Sequence, residues 1–193
     1  GEPPRSVMVT SAVPGEGKSF VSANLAVSFA QNIKEHVLLI DCDIRRPCIH
    51  KLFGFDDRPG LSEYLSRGTP LSDLLFKTEV NKLTILPGGS PPPNPSELLS
   101  SEKMWKLLKE VKARYSDRYI IIDSPPPKLT AESEALARQV DGIILVIKYG
   151  STPRELISDL INTIGREKVL GVIFNWFEMG SLGYYGYGKY SKY

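Results

Sequence analysis

Residues 12–19 read AVPGEGKS, and they constrain the fold of this chain more than any other stretch. They follow an apolar, β-rich run, SVMVTSA (6–12), and open a segment with helical spacing. A strand that passes through a glycine-rich bend into a helix beginning Lys-Ser is the P-loop arrangement for gripping phosphate. Gly15 and Gly17 let successive backbone N–H groups turn inward on phosphate oxygens, and the helix start adds its positive end. Lys18 brings a point charge and Ser19 a hydroxyl for Mg²⁺. A bare glycine-rich turn with an exposed lysine is the competing reading, and it predicts neither the strand before nor the helix after.

The rest of the chain repeats that alternation. Further apolar runs lie at 36–43, 83–89, 119–125, 142–150 and 169–177. They are too continuously apolar for a sheet wetted on one face, so each reads as a strand covered on both sides. Between them, residues 18–32 place Val21, Leu25 and Phe29 on one helical side. Residues 95–116 place Met104, Leu108, Val111 and Tyr115 on another, with Asn94, Pro95 and Glu97 as its cap, first-turn proline and capping acid. The predicted fold class is α/β, a three-layer P-loop NTPase fold with a mainly parallel central sheet. Loops that follow its strands share one edge, where ligands bind. One domain is expected over 1–179, followed by a flexible tyrosine-rich tail over 180–193; GGSPPPNP (88–95) reads as a stiff surface loop.

Composition narrows the partners. A formal charge of +2 is too small for a nucleic-acid binder. Cys42, Cys48, His36 and His50 lack metal-ligand spacing, so a reducing setting without a zinc site is expected. No apolar run approaches the roughly 20 residues of a spanning helix, and the first residues lack a secretory pattern. The domain itself is expected to be soluble.

Carboxylates appear where the P-loop needs them. Asp41 and Asp43, two apart in LLIDCDIRRP, share one side of an extended segment, and Asp123 ends the run IIID in the Walker B manner. Three acids at strand ends beside a P-loop repel one another unless a cation sits among them, and Mg²⁺ with a nucleoside triphosphate is the natural occupant.

SAVPGEGKS, LLIDCDIRRP, PPPNPSELL, IIIDSPP, LGVIFN and the tyrosine-rich end run in order along nearly the whole chain. Together they resemble the bacterial tyrosine kinase family, the P-loop autokinases of capsule and exopolysaccharide production. The resemblance implies ATP-dependent protein-tyrosine autophosphorylation, with ATP contacted by Pro14, Gly15, Glu16, Gly17, Lys18, Ser19, Phe20 and Asn175. It implies Lys18, Asp41 and Asp43 as catalytic residues, Asp41 taking the phenol's proton, and Ser19, Asp43 and Asp123 as supports for Mg²⁺. The phosphate acceptors it implies are Tyr184, Tyr185, Tyr187, Tyr190 and Tyr193, modified by a neighbouring subunit. It also implies self-association into a ring, a membrane polysaccharide co-polymerase as activator, a cognate tyrosine phosphatase, and a place at the cytoplasmic face of the bacterial plasma membrane.

Two features depart from the pattern. The family's Glu-x-x-Arg-x-x-Arg helix, which assembles the ring, is absent from these residues, so ring formation is not expected of this chain alone. Trp176 stands where an arginine is usual, and it can stack on a base, pack as core, or do neither. Arg45 and Arg46 either steady charge on the γ-phosphate or pair with surface acids or a neighbouring subunit.

The ending GYYGYGKYSKY is either an inert, self-associating low-complexity segment or a substrate. Its glycines let it enter a cleft, and Lys189 and Lys192 draw it toward acidic, phosphate-loaded surroundings. Five phosphates would add about −1.5 to −2 each and are expected to loosen the tail from acidic neighbouring sites. Two further readings remain. A positioning ATPase of the septum or plasmid-partition kind would carry a second lysine at position 13, where this chain has Val13. A nucleotide-binding scaffold of a polysaccharide export complex would not need catalysis.

Overall fold

The computed structural model describes residues 4–32, 34–114, 118–125 and 131–177. Seven strands form one sheet: β1 Ser6–Ser11, β2 His36–Asp41, β3 Phe76–Lys77, β4 Leu83–Leu86, β5 Arg118–Asp123, β6 Gly142–Lys148 and β7 Val169–Asn175. Their order is β3-β4-β2-β5-β1-β6-β7. Every neighbouring pair is parallel except β3 with β4. The mainly parallel three-layer architecture expected from the alternation is therefore present, and the chain's first strand lies inside the sheet.

Side chains alternate across the pleat, and both faces of the central strands are dry. Met8, Leu38, Ile40, Ile120, Ile122 and Leu145 join one core. Val9, Val37, Leu39, Ile121 and Val146 join the other. The first is covered by α5 (Glu102–Arg114), α6 (Ala131–Gln139) and α7 (Arg154–Ile164). The second is covered chiefly by α1 (Lys18–Asn32), through Val21, Ala23, Ala26 and Ala30, with Leu25 and Phe29 packed at its margin. Alanines on α1 let the helix lie close to the strands, and each fully buried Leu or Ile contributes about 1.5–3 kcal/mol. Short helices α2 (Ile49–Leu52), α3 (Leu61–Arg67) and α4 (Pro95–Leu99) shape the loops beyond β2 and β4.

Four expectations change. The helix foreseen over 95–116 is two, because the Ser101 hydroxyl accepts the Met104 N–H at 3.2 Å and donates to the Leu98 carbonyl at 2.6 Å. A local side-chain cap has outcompeted continuation of the helix. Asn94 does precede Pro95 at the start of α4, but its amide donates to Glu97 Oε2 rather than capping a backbone N–H. β7 is an edge strand covered on one face only, since Leu170, Val172 and Phe174 are exposed on the other. Strand order, not apolar content, decided that. Finally, Gly88 and Gly89 are buried at the start of the loop expected at the surface. Tyr115 and the tail at 180–193 lie outside the described residues.

Candidate active site

β2 and β5 are adjacent and in register, with Asp41 opposite Asp123. β1 lies on the other side of β5, so the loop it feeds, residues 12–17, hangs over the two acids. Parallel strands that end together are what bring residues so far apart in the chain to one edge.

The loop is held by a buried glutamate. Glu16 is fully buried; Oε2 accepts the Val13 N–H at 2.9 Å and Oε1 accepts the Lys148 N–H at 2.8 Å and the Thr152 hydroxyl. Its side chain is thus committed to tying the loop to the end of β6 and is not available to a ligand. Asn175, the last residue of β7, donates from Nδ2 to the Glu16 carbonyl at 2.8 Å. Gly17 has φ 92°, and a Cβ there would collide with the Asn175 amide, so both conformation and space require glycine. Trp176 follows at φ 59° and is 60% exposed, with the Lys148 ammonium 5.3 Å from its ring centre. It is not core. Phe20 is equally exposed on the first turn of α1.

Charge converges below the loop. Lys18 is buried, which lowers its pKa, while Asp123, Asp43 and Glu16 pull it back up. Burial pushes the Asp123 carboxyl up to about 6, against the Ser19 and Ser22 hydroxyls and Lys18, with Asp43 adding to the rise. Ser22 Oγ donates to Asp123 Oδ1 at 3.1 Å. Asp41 is also fully buried; burial and the Asp123 charge push it well above the usual carboxylate range, although N–H groups of Ile49 and Cys48 oppose this at 3.0 Å each. Its other oxygen accepts the Asp43 N–H at 3.1 Å. Asp43 is half-buried and raised by burial, with Arg46 N–H and Lys18 lowering it. Three carboxyls displaced upward around one lysine describe a site short of positive charge.

Mg²⁺ fits that shortage. Asp123 Oδ2 is buried and has no hydrogen-bond partner among the described residues. Ser19 lies close enough to lower the pKa of both Asp123 and Cys48 by hydrogen bonding. Among the described residues no three His, Cys, Asp or Glu side chains converge to cage a metal by themselves. Mg²⁺ is ordinarily held by one or two carboxylates together with substrate phosphates and water. Lys18, Ser19, Asp41, Asp43 and Asp123 are thus together, with Asn175 above them. Reading the sequence missed three partners: the anchoring of Glu16, the Cys48 thiol beside Ser19, and Glu132. Arg45 donates to Glu132 at 2.9 Å and to Ser96 at 2.5 Å, so its partner is a buried acid of its own chain and not a surface one. A Glu132 partner 87 residues distant left no local signal.

Residues 7–181 match the CobQ/CobB/MinD/ParA nucleotide binding domain family. The tyrosine-protein kinase YwqD of Bacillus subtilis is 40% identical over 185 residues, covering 95% of this chain and 77% of that protein. This chain belongs to the bacterial tyrosine-protein kinase family. Tyrosine-protein kinase CpsD of Streptococcus agalactiae is 34% identical, with all of this kinase and 84% of CpsD aligned. Tyrosine-protein kinase wzc of Salmonella typhimurium is 33% identical over 95% of this chain, which spans only 26% of that longer protein. The kinase domain of Escherichia coli tyrosine kinase ETK superposes with a TM-score of 0.83 at 31% identity, covering 96% of this kinase and 72% of that chain. The VpsO kinase domain gives 0.82 at 39%, covering 91% and 86%. The septum site-determining protein MinD of Pyrococcus horikoshii shares the fold at 24% identity and a TM-score of 0.68, covering 87% and 67%. As a member of this family the chain is a protein-tyrosine kinase on a nucleotide-binding P-loop domain.

Proposed function

We propose that this kinase transfers phosphate from ATP to the tyrosines of its own C-terminus, Tyr184, Tyr185, Tyr187, Tyr190 and Tyr193, between subunits. In this reading it regulates capsule or exopolysaccharide polymerisation and export, beside a membrane co-polymerase that activates it and a phosphatase that resets it. Its station is the cytoplasmic face of the plasma membrane; no helix among the described residues is long and apolar enough to cross one. One observation carries the proposal. β7 ends at Asn175, whose amide is bonded to the phosphate loop, so the chain beyond it departs from the rim of the site that would modify it.

The loop amides from Gly15 to Ser19, with the start of α1, bind and orient the triphosphate. Lys18 adds charge where the transferring group sits. Ser19, Asp43 and Asp123 would hold Mg²⁺, which would supply neutralisation of phosphate charge. Asp41 orients the phenol and accepts its proton. Glu16 keeps the loop closed on its ligand, and Asn175 and Trp176 border the nucleotide.

Incubation with labelled ATP and Mg²⁺, followed by mapping of phosphotyrosine beside a Lys18→Met variant, tests this. Label on the tail of the wild type and none on the variant is expected. Phosphate release without label would indicate a positioning ATPase, and neither would indicate a scaffold.

A further inference from the structure

Beside the acidic site lies a basic one. A cavity of about 670 Å³ has Arg45, Arg46 and Pro47, of the segment that follows Asp41 and Asp43, as one wall. Lys51, Arg58 and Arg67 form another. Two acids also line it, and both are compensated from within: Glu63 accepts the N–H groups of Gly60 at 2.8 Å and Ser90 at 3.2 Å, and Asp57 pairs with His50 at 3.2 Å and Lys51 at 3.8 Å. Arg46 and Arg67 are exposed and have no carboxylate partner among the described residues. Arg58 is held over the rings of Phe55 and Phe76, 5.6 and 5.4 Å from their centres, so its guanidinium is oriented without using a carboxylate. Surplus arginine in a concave site of ligand size is a receptor for a compact, multiply charged anion.

From this geometry we infer that the cavity docks phosphotyrosine on an already modified C-terminus of a second copy of this chain. The inference rests on the tail being the substrate. Its chemistry favours phosphotyrosine over a flat anionic surface. Phosphate oxygens pair with guanidinium forks, while Pro47, Pro59 and Pro91 in the walls offer apolar surface to the phenyl ring. The occupant is at hand, since five tyrosines stand in the last ten residues. A phosphotyrosine repelled by the carboxylates and the bound triphosphate is received a few residues further along the chain. A tail anchored there by one modified tyrosine keeps its unmodified ones beside Asp41 and Lys18.

Fluorescence anisotropy with a synthetic peptide of residues 180–193, phosphorylated on Tyr190 and Tyr193, tests the inference. Saturating ADP and Mg²⁺ keep the phosphate loop occupied. Charge-assisted pairing with two or three arginines predicts binding at least about tenfold tighter than that of the unmodified peptide. The Lys51→Gln/Arg67→Gln double variant, altered only at exposed positions, should melt with the wild type and lose most of that preference; Arg58→Gln should lose it too. Equal binding of the two peptides, or a preference that survives all three substitutions, would overturn the inference. So would retention on phosphatidylglycerol vesicles through these residues with no phosphopeptide binding. Because the peptides are made synthetically, this outcome is independent of whether the kinase modifies its own tail, which the labelling experiment reads.

Discussion

At the scale of single residues, two buried acids of the candidate site have opposite uses. Glu16 is there to hold the loop. Replacing it with alanine leaves the N–H groups of Val13 and Lys148 and the Thr152 hydroxyl without their acceptor. An unsatisfied buried donor costs about 1–3 kcal/mol. Glu16→Ala is expected to lower stability by about 2–4 kcal/mol, or the melting temperature by about 5–10 °C for a chain of this size, read by thermal denaturation. In the proposed mechanism Asp123 holds a cation, and without one its burial is a burden. Its pKa of about 6 in the folded state lies above the ordinary value of 3.8. Between those pH values the folded protein keeps a proton on Asp123 that the unfolded chain has released, so this group's share of stability falls as pH rises from about 4 to 6; Asp41, pushed well above the usual carboxylate range, adds to the decline in the same direction. The full cost is about 3 kcal/mol. In magnesium-free, nucleotide-free buffer, melting temperatures should trace that decline. Asp123→Asn, which cannot ionise, should make it shallower, with Asp41 and Asp43 still contributing, exceed the wild type in stability near neutral pH, and lose kinase activity.

Among the elements, the break between α4 and α5 shows how little is needed to divide a helix. The heptad-like spacing of Met104, Leu108 and Val111 correctly marks the buried face of α5. It says nothing of where the helix begins, because Ser101 supplies a cap that spacing does not encode. Ser101→Ala should cost about 1 kcal/mol, as loss of an N-cap usually does. Urea denaturation with an unchanged slope would confirm that the effect is on the cap and not on the core. β3 escaped sequence reading for a similar reason. Two residues, Phe76 and Lys77, have no periodicity to detect, and only the edge of β4 makes them a strand.

For the molecule as a whole, the proposal that phosphate passes between copies has a direct consequence. A Lys18→Met chain with its tail intact should remain unlabelled alone and become labelled when mixed with wild-type chain truncated after Met179. Gel separation of the two lengths reads the outcome, and an unlabelled variant in the mixture would confine the reaction to one chain. That experiment is designable from sequence because the features it relies on are local. A glycine-rich bend between a strand and a helix, an aspartate closing an apolar run, and a run of tyrosines each announce themselves within about ten residues, through backbone geometry and side-chain period that neighbours cannot conceal. Parallel order of the main strands followed from the same local alternation. Tertiary structure alone decided what distance in the chain hides: that Glu16 bonds to residues 132 and 136 positions away, and that Arg45 answers Glu132. It alone decided that β7 falls at an edge with Leu170, Val172 and Phe174 exposed, and that basic residues from loops and two short helices line one cavity. Local energies choose helix, strand and bend; which of them meet is chosen by burying both faces of the sheet at once, a condition no short window of residues contains.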